Sequence, residues 1–277
     1  MIDDWVSRLR EPRFGIAFTT AVTGFAMSAH WPPLAIPSGL LVVLTVIRPR
    51  IALRPGVWLL NAGMWFSALA LLPDRMEDHV FLFAVWLVAV WYSLSAEPDG
   101  FIDRAAWQAR ILIGATFATA VGWKLYFGEF ASGRALWFYI LLDRRFAPLA
   151  AVSGISDAAI EQGRAELAQL LAGSLESAAL PVPSHAGGRL AVAALLTLLL
   201  EAVVAVSHLA PDRSRLSVLR IPSIVGFAAV TYALVPVVLF AMLLALLAMS
   251  AARWRYNVLW VLPVVVLVSV VRVATLH

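Results

Sequence analysis

The chain of 277 residues is 62% hydrophobic and only 14% charged, with a mean hydropathy of +0.86; this is more apolar surface than a water-soluble core needs and reads as a polytopic membrane protein. Its net charge of +4 comes from arginines in short loops between apolar runs, which argues against a nucleic-acid-binding face and fits the positive-inside bias of membrane topology. Cysteine is absent, which excludes disulfides, zinc-thiolate centres and a thiolate nucleophile.

The opening MIDDWVSRLREPR is mixed in charge and no small-residue cleavage site follows, so the first span is expected to be retained. That span covers residues 14–31 and ends at Trp31 and the Pro32-Pro33 turn. A second, from about Ile36 to Ile47, is short for a crossing, which usually wants about 17 to 25 residues, so it either takes in the Pro32-Pro33 turn or is partly re-entrant. Arg48, Arg50 and Arg54 then mark a cytoplasmic loop, as Arg8, Arg10 and Arg13 mark a cytoplasmic N-terminus. The third span covers roughly 56–73, with Asn61 expected to hydrogen-bond between helices. PDRMEDH is a short external loop, HVFLFAVWLVAVWYSLSA a fourth span, and EPDGFIDRAAWQAR a turn-rich internal loop.

Span five follows from Arg110 and contains Lys124, the only lysine in the chain. Insertion scales put a central lysine at roughly 2.5 to 3.5 kcal/mol, so an ion there is a candidate functional residue. The competing reading is a lysine that snorkels, since it stands about 21 Å along a helix from Arg110. Beyond it, ALWFYILLDRRFAPLA is apolar then basic and predicts an interfacial or re-entrant helix. SDAAIEQGRAELAQLLAGSLES predicts an amphipathic surface helix with Ile160, Leu167, Leu171 and Leu175 on its apolar face and Asp157 and Glu161 near its start. LPVPSHAGG is a linker.

Span six, RLAVAALLTLLLEAVVAVSHLAP, places Glu201 near mid-membrane. An ion of opposite sign to Lys124 makes a buried Lys–Glu pair the economical arrangement, because removing either would leave the other unpaired. His208, seven residues on, shares nearly the same face and reads as a span-end residue. After the basic loop PDRSRLSVLR, residues 221–250 read as one tilted helix kinked at Pro236, with two short crossings, which would put Arg253 and Arg255 inside, as the alternative, and VLWVLPVVVLVSVVRVATL closes the chain. The fold class expected is therefore all-α, a transmembrane helix bundle of about eight spans with an external segment of amphipathic helices. Its parts are the N-terminal helices 1–128, the external segment 129–188 and the C-terminal helices 189–277.

The middle of the chain, TFATAVGWKLYFGEFASGRALWFYILLDRRFAP, resembles a segment of the horizontally transferred transmembrane (HTTM) domain: Y/F-x-x-A-G-x-x-K-L, then W-x-x-G, an apolar helix and a proline-containing end. The likeness continues through YSLS (92–95), TLLLEAVVAV (197–206) and VVLFAMLLALLA, covering Ser93 to Met249. That domain is shared by vitamin K-dependent gamma-carboxylases, bacterial relatives and the membrane component of the sporulation-delaying-protein maturation system. The resemblance implies a bacterial-type membrane component of peptide or toxin maturation, export or protection, acting with a peptide substrate or partner protein in the lipid bilayer. In the carboxylases the matching lysine is taken as the base that deprotonates a reduced vitamin K-type quinone, and Lys124 falls on it with Glu201 as its candidate partner. Burial favours a neutral amine that accepts a proton, whereas a carboxylate beside it favours the ammonium. Where the family shows a histidine near the start of the long span, this chain has Gly226, Phe227 and Ala228.

Three functions are thus open: a maturation or export component, a quinol-using membrane enzyme with Lys124 as base, and a transporter using Lys124 and Glu201 as a charge relay. The histidines at 30, 79, 185, 208 and 277 show no i, i+4 pairing, so no metal site is expected. Gly187-Gly188 lacks the surrounding pattern of a phosphate loop.

Overall fold

Proline sets the starts of the first helices, because its missing N–H falls where a helix has no acceptor to offer. The computed structural model describes residues 7–28, 31–71, 78–96, 98–172, 182–235 and 237–254, and the expected closing span lies outside them. Helices α1 (Pro12–Ser28), α2 (Pro32–Ile47) and α3 (Pro55–Leu71) each begin at a proline. The residue before a proline is pushed out of the helical region. Trp31 (φ −130°, ψ 91°) and Arg48 (φ −134°, ψ 81°) are extended accordingly. The Pro32-Pro33 pair thus opens α2 instead of forming a separate turn.

The same rule corrects the reading of residues 221–250. Val235, before Pro236, is extended at φ −141° and ψ 93°. Two helices, α10 (Arg220–Leu234) and α11 (Val238–Ala251), stand in place of one kinked helix. A second correction concerns EPDGFIDRAAWQAR. Following α4 (Asp78–Ser95), only Pro98–Gly100 form a tight turn, and helix α5 runs from Phe101 to Phe127. Phe101, Ala105, Ala109 and Ile113 recur every four residues and are all buried, which outweighs the breakers in front of them.

The chain forms two compact units, Met1–Thr116 with Val238–His277 and Phe117–Val237. The divisions at 128 and 188 expected from the sequence follow topology along the chain, whereas these units follow packing.

In the first unit α1 packs on α2, α4 and α11, and α3 packs on α4. Trp58, Trp65, Phe83 and Trp86 form its buried centre. Two of the three indoles are satisfied, Trp86 Nε1 donating to Thr20 Oγ1 at 3.0 Å and Trp58 Nε1 to the Ala52 carbonyl at 2.7 Å, whereas Trp65 Nε1 is buried without an acceptor among the described residues. After α11, Arg253 and Trp254 both take φ 57°. This turn folds Trp254 back onto α1, where its Nε1 donates to Leu9 O at 3.0 Å. Only glycine fits beneath the ring, since a Cβ at Gly15 would stand 2.6 Å from it.

The second unit contains the end of α5, the short helices α6 (Arg134–Leu142) and α7 (Ala147–Val152), α8 (Asp157–Leu171), α9 (Ser184–Leu209) and α10. Gly128 ends α5 at φ +68°, the left-handed conformation that glycine supplies after a helix. Residues 129–171 do not stand apart from α9. Phe130, Trp137, Ile140, Leu149, Ile160 and Leu167 form one cluster with Ala186, Leu190, Ala194 and Leu198 of α9. At Gly133 the approach is backbone to backbone: φ is +79°, and a Cβ would meet Ala191 N and the Leu190 carbonyl carbon at 2.7 Å. The linker expected up to Gly188 is helical from Ser184, and its side chains hold α7: Arg189 Nη1 donates to Ser153 O at 3.2 Å and His185 Nε2 lies 3.1 Å from Gly154 O. Carbonyls at a helix C-terminus lack an intrahelical partner and are met here from outside the helix.

In α8 Ser156 caps the start, accepting from Ala159 N at 3.3 Å, and Asp157 lies in the first turn. The buried face is Ile160, Gly163 and Leu167; Leu171 is 77% exposed, contrary to expectation, and Leu175 lies outside the described residues. The stripe drifts with 3.6 residues per turn, and Gly163 takes the central place by letting Trp137 and Leu141 of α6 press against the helix backbone.

No strand occurs among the described residues, so the fold is all-α. Among them two stretches, Ser184–Leu209 and Arg215–Leu234, are long and apolar enough to cross a membrane, and Pro32–Ile47, Pro55–Leu71, His79–Ser95 and Val238–Ala251 are shorter apolar helices. At 27 residues α5 is long enough, but it is not one of the two.

Candidate functional site

Lys124 and Glu201 meet. The lysine sits in the last turn of α5 and the glutamate in the middle of α9, and Lys124 Nζ donates to Glu201 Oε1 across 77 positions of sequence. On α9 the buried stripe reads Ala186, Leu190, Ala194, Leu198, Glu201, Ala205, His208. Glu201 therefore occupies a place where periodicity calls for an apolar residue. Its side chain is 8% exposed and that of Lys124 24%.

Phe130 completes the site from the turn between α5 and α6. The ammonium lies 4.7 Å from its ring centroid, within range of a cation–π attraction that strengthens as water is removed. Sequence reasoning did not single this residue out. The signal was an aromatic six residues beyond the lysine and two beyond the Gly128 stop. Two turns before Lys124, Phe117 meets Phe227 of α10 edge-on at 4.7 Å. Phe227 is one of the three residues standing where the resembled family shows a histidine, and here it supplies packing.

Electrostatically the site is asymmetric. Oε1 of Glu201 is taken by the ammonium, while Oε2 is buried with no hydrogen-bond donor among the described residues. A buried acceptor without a donor costs about 1 to 3 kcal/mol, more if charged. The arrangement can therefore hold a proton between amine and carboxylate, or receive a donor group from a ligand at Oε2. Around Lys124 the surface is aromatic: Trp123, Tyr126 and Phe127 are all more than half exposed, Trp123 stacking on Tyr126 and Phe127 meeting both rings edge-on.

Other singled-out residues fall elsewhere. His208 is fully buried, with Nδ1 2.9 Å from the Val204 carbonyl, so it is an internal residue and not an interfacial one. Next to it Ser207 Oγ lies 3.1 Å from Ser223 Oγ, joining α9 to α10. Asn61 is buried in α3 of the first unit. No group of three or more acidic or histidine side chains that could hold a metal occurs among the described residues.

Comparison with protein-family models, with curated proteins and with solved structures returned no match.

Proposed function

We propose that the chain is a multi-pass integral membrane protein of the HTTM type, a component of peptide or toxin maturation, export or protection that works with partners. Its functional centre in this reading is the Lys124–Glu201 pair. Eight crossings, a cytoplasmic N-terminus and an external 129–188 segment belong to the same proposal. The observation that carries membrane insertion is a reversed partition of polarity. On α9 the outer side is Val192, Leu195, Leu196, Leu199 and Val206, while Glu201, Ser207 and His208 face inward. A helix in water presents the opposite arrangement, and polar side chains turned inward with an apolar exterior suit lipid.

The resemblance supplies the maturation role, and the pair supplies a reason for the matching lysine to be buried. A second reading, a membrane enzyme using a reduced vitamin K-type quinone with Lys124 as base, draws support from Oε2. A hydroxyl-bearing ring would find an acceptor there. Charge-relay transport is the third.

The test is made on purified protein in lipid nanodiscs. Co-purification of a small peptide or soluble partner, lost on Lys124→Ala with the fold retained, supports the first reading. Saturable binding of a reduced naphthoquinone lost in the same variant moves the assignment to the second, and proton-coupled flux in vesicles moves it to the third. Release of the chain from membranes by alkaline carbonate would sink all three.

A further inference from the structure

Helix α6 is apolar on both sides. Leu136, Trp137, Ile140 and Leu141 are buried, yet Phe138, Tyr139 and Leu142 are 41%, 44% and 55% exposed. Arg134, Phe138 and Leu142 follow one another four residues apart and so form one outward stripe. A helix that is apolar all round belongs in a core or in lipid, and this stripe is outside the core.

Charge bounds the stripe at both ends. Arg134, at its start, is 62% exposed and reaches Glu129 only at 3.9 Å. Past its end, Asp143 accepts from Arg145 N at 2.9 Å and from Arg145 Nε at 2.7 Å. Asp143 thereby engages Arg145 and leaves the exposed Arg144 without a partner among the described residues. Phe146 stacks on Tyr139 with centroids 5.5 Å apart, which folds the arginine turn back beside the aromatic face. Free guanidinium next to exposed aromatics matches one surface, the boundary where headgroup phosphates meet acyl chains.

We infer that this face of the second unit is a seat for an anionic phospholipid. Phe138, Tyr139 and Leu142 enter the acyl boundary, and Arg144, helped by Arg134, binds the headgroup phosphate. The inference rests on the membrane reading above, and charge complementarity selects the lipid over a protein partner. Arginine suits the task because its planar fork meets two phosphate oxygens at once.

The absence of cysteine makes a spin-label test clean. Single variants Phe138→Cys, Leu142→Cys, Leu199→Cys and Ala165→Cys are labelled in nanodiscs of equal parts phosphatidylcholine and phosphatidylglycerol, and depth is read from collision with oxygen and with a water-soluble nickel chelate. Labels at 138 and 142 are expected at the headgroup boundary, that at 199 in hydrocarbon and that at 165 in water. In the unlabelled chain, phosphatidylglycerol retained through detergent exchange is expected several-fold above its bulk ratio and to fall to that ratio in Arg144→Gln. Labels at 138 and 142 in water, with 199 in hydrocarbon, overturn the lipid seat alone. Shielding of 138 and 142 from both reagents means a protein covers the face, and retention at the bulk ratio or unchanged by Arg144→Gln removes the headgroup site; either outcome overturns it. A label at 199 in water overturns the membrane reading itself.

Discussion

Hydroxyls buried in the first unit and the ion buried in the second are satisfied in different ways. In the first, hydroxyls satisfy themselves on their own helix: Thr20 donates to Ile16 O and Thr45 to Leu41 O, each at 2.7 Å, and Ser250 to Leu246 O at 2.8 Å. Such bonds form wherever the helix forms and ask nothing of the tertiary fold. In the second, an ion finds its partner on another helix, 77 residues away. That partner exists only when the fold is complete. A local hydroxyl tolerates being buried; a long-range ion pair requires the correct neighbour, which is why the second kind marks a site.

The comparison is most exposed to attack at the pair itself. Glu201→Leu should cost about 3 kcal/mol, because it leaves a mostly buried ammonium alone, whereas Lys124→Met with Glu201→Leu should recover most of that loss. Chemical denaturation in nanodiscs checks both, and additive losses in the double variant would show that the two ions do not act together. Next is Gly133→Ala, which forces a left-handed residue and pushes a methyl into the backbone of α9. A loss of about 2 to 3 kcal/mol is expected, read as faster proteolysis of residues 129–171 than of the first unit.

Gly163→Ala is smaller, since the added carbon would lie 2.8 Å from side chains of Leu141 and Trp137 that can shift. About 1 to 2 kcal/mol is expected, and amide exchange along α8 should rise while that of α1 stays fixed. Ser156→Ala removes the cap of α8 at about 1 kcal/mol, visible as fraying of its first turn. Thr45→Val in the first unit should change stability by less than about 1 kcal/mol, because the Leu41 carbonyl keeps its helical partner. A loss as large as that at Glu201 would erase the contrast between the units.

Much of this was legible in the sequence because the signals were local or singular. Apolar runs bounded by prolines gave α1 to α4, and Lys124 and Glu201 stood out as ions of opposite sign inside apolar runs. Three things were not legible. The helical start of α5 was hidden by Pro98, Asp99 and Gly100, whose breaking effect ends where the Phe101–Ile113 stripe begins. The break at Val235 is hidden because apolar residues run on without interruption to either side of Pro236, while the proline drives the residue before it out of the helical region. The seat of Gly133 on α9 is a contact between segments about sixty residues apart, and a lone glycine in a turn carries no sign of what lies above it.

The placement of Trp254 against Gly15 has a consequence in time. The second unit is one continuous stretch of chain and is finished as the ribosome passes Val237. The first unit is not, for its α1 helix must wait for a tryptophan made 239 residues later, on the order of ten seconds or more at ordinary elongation rates. During that interval the notch at Gly15 stands open, and α1, α2 and α4 must hold their places without the ring that closes them. The unit that emerges first is thus the last to be completed, and a nascent chain stopped before residue 254 should show the second unit protected from protease while the start of α1 remains accessible.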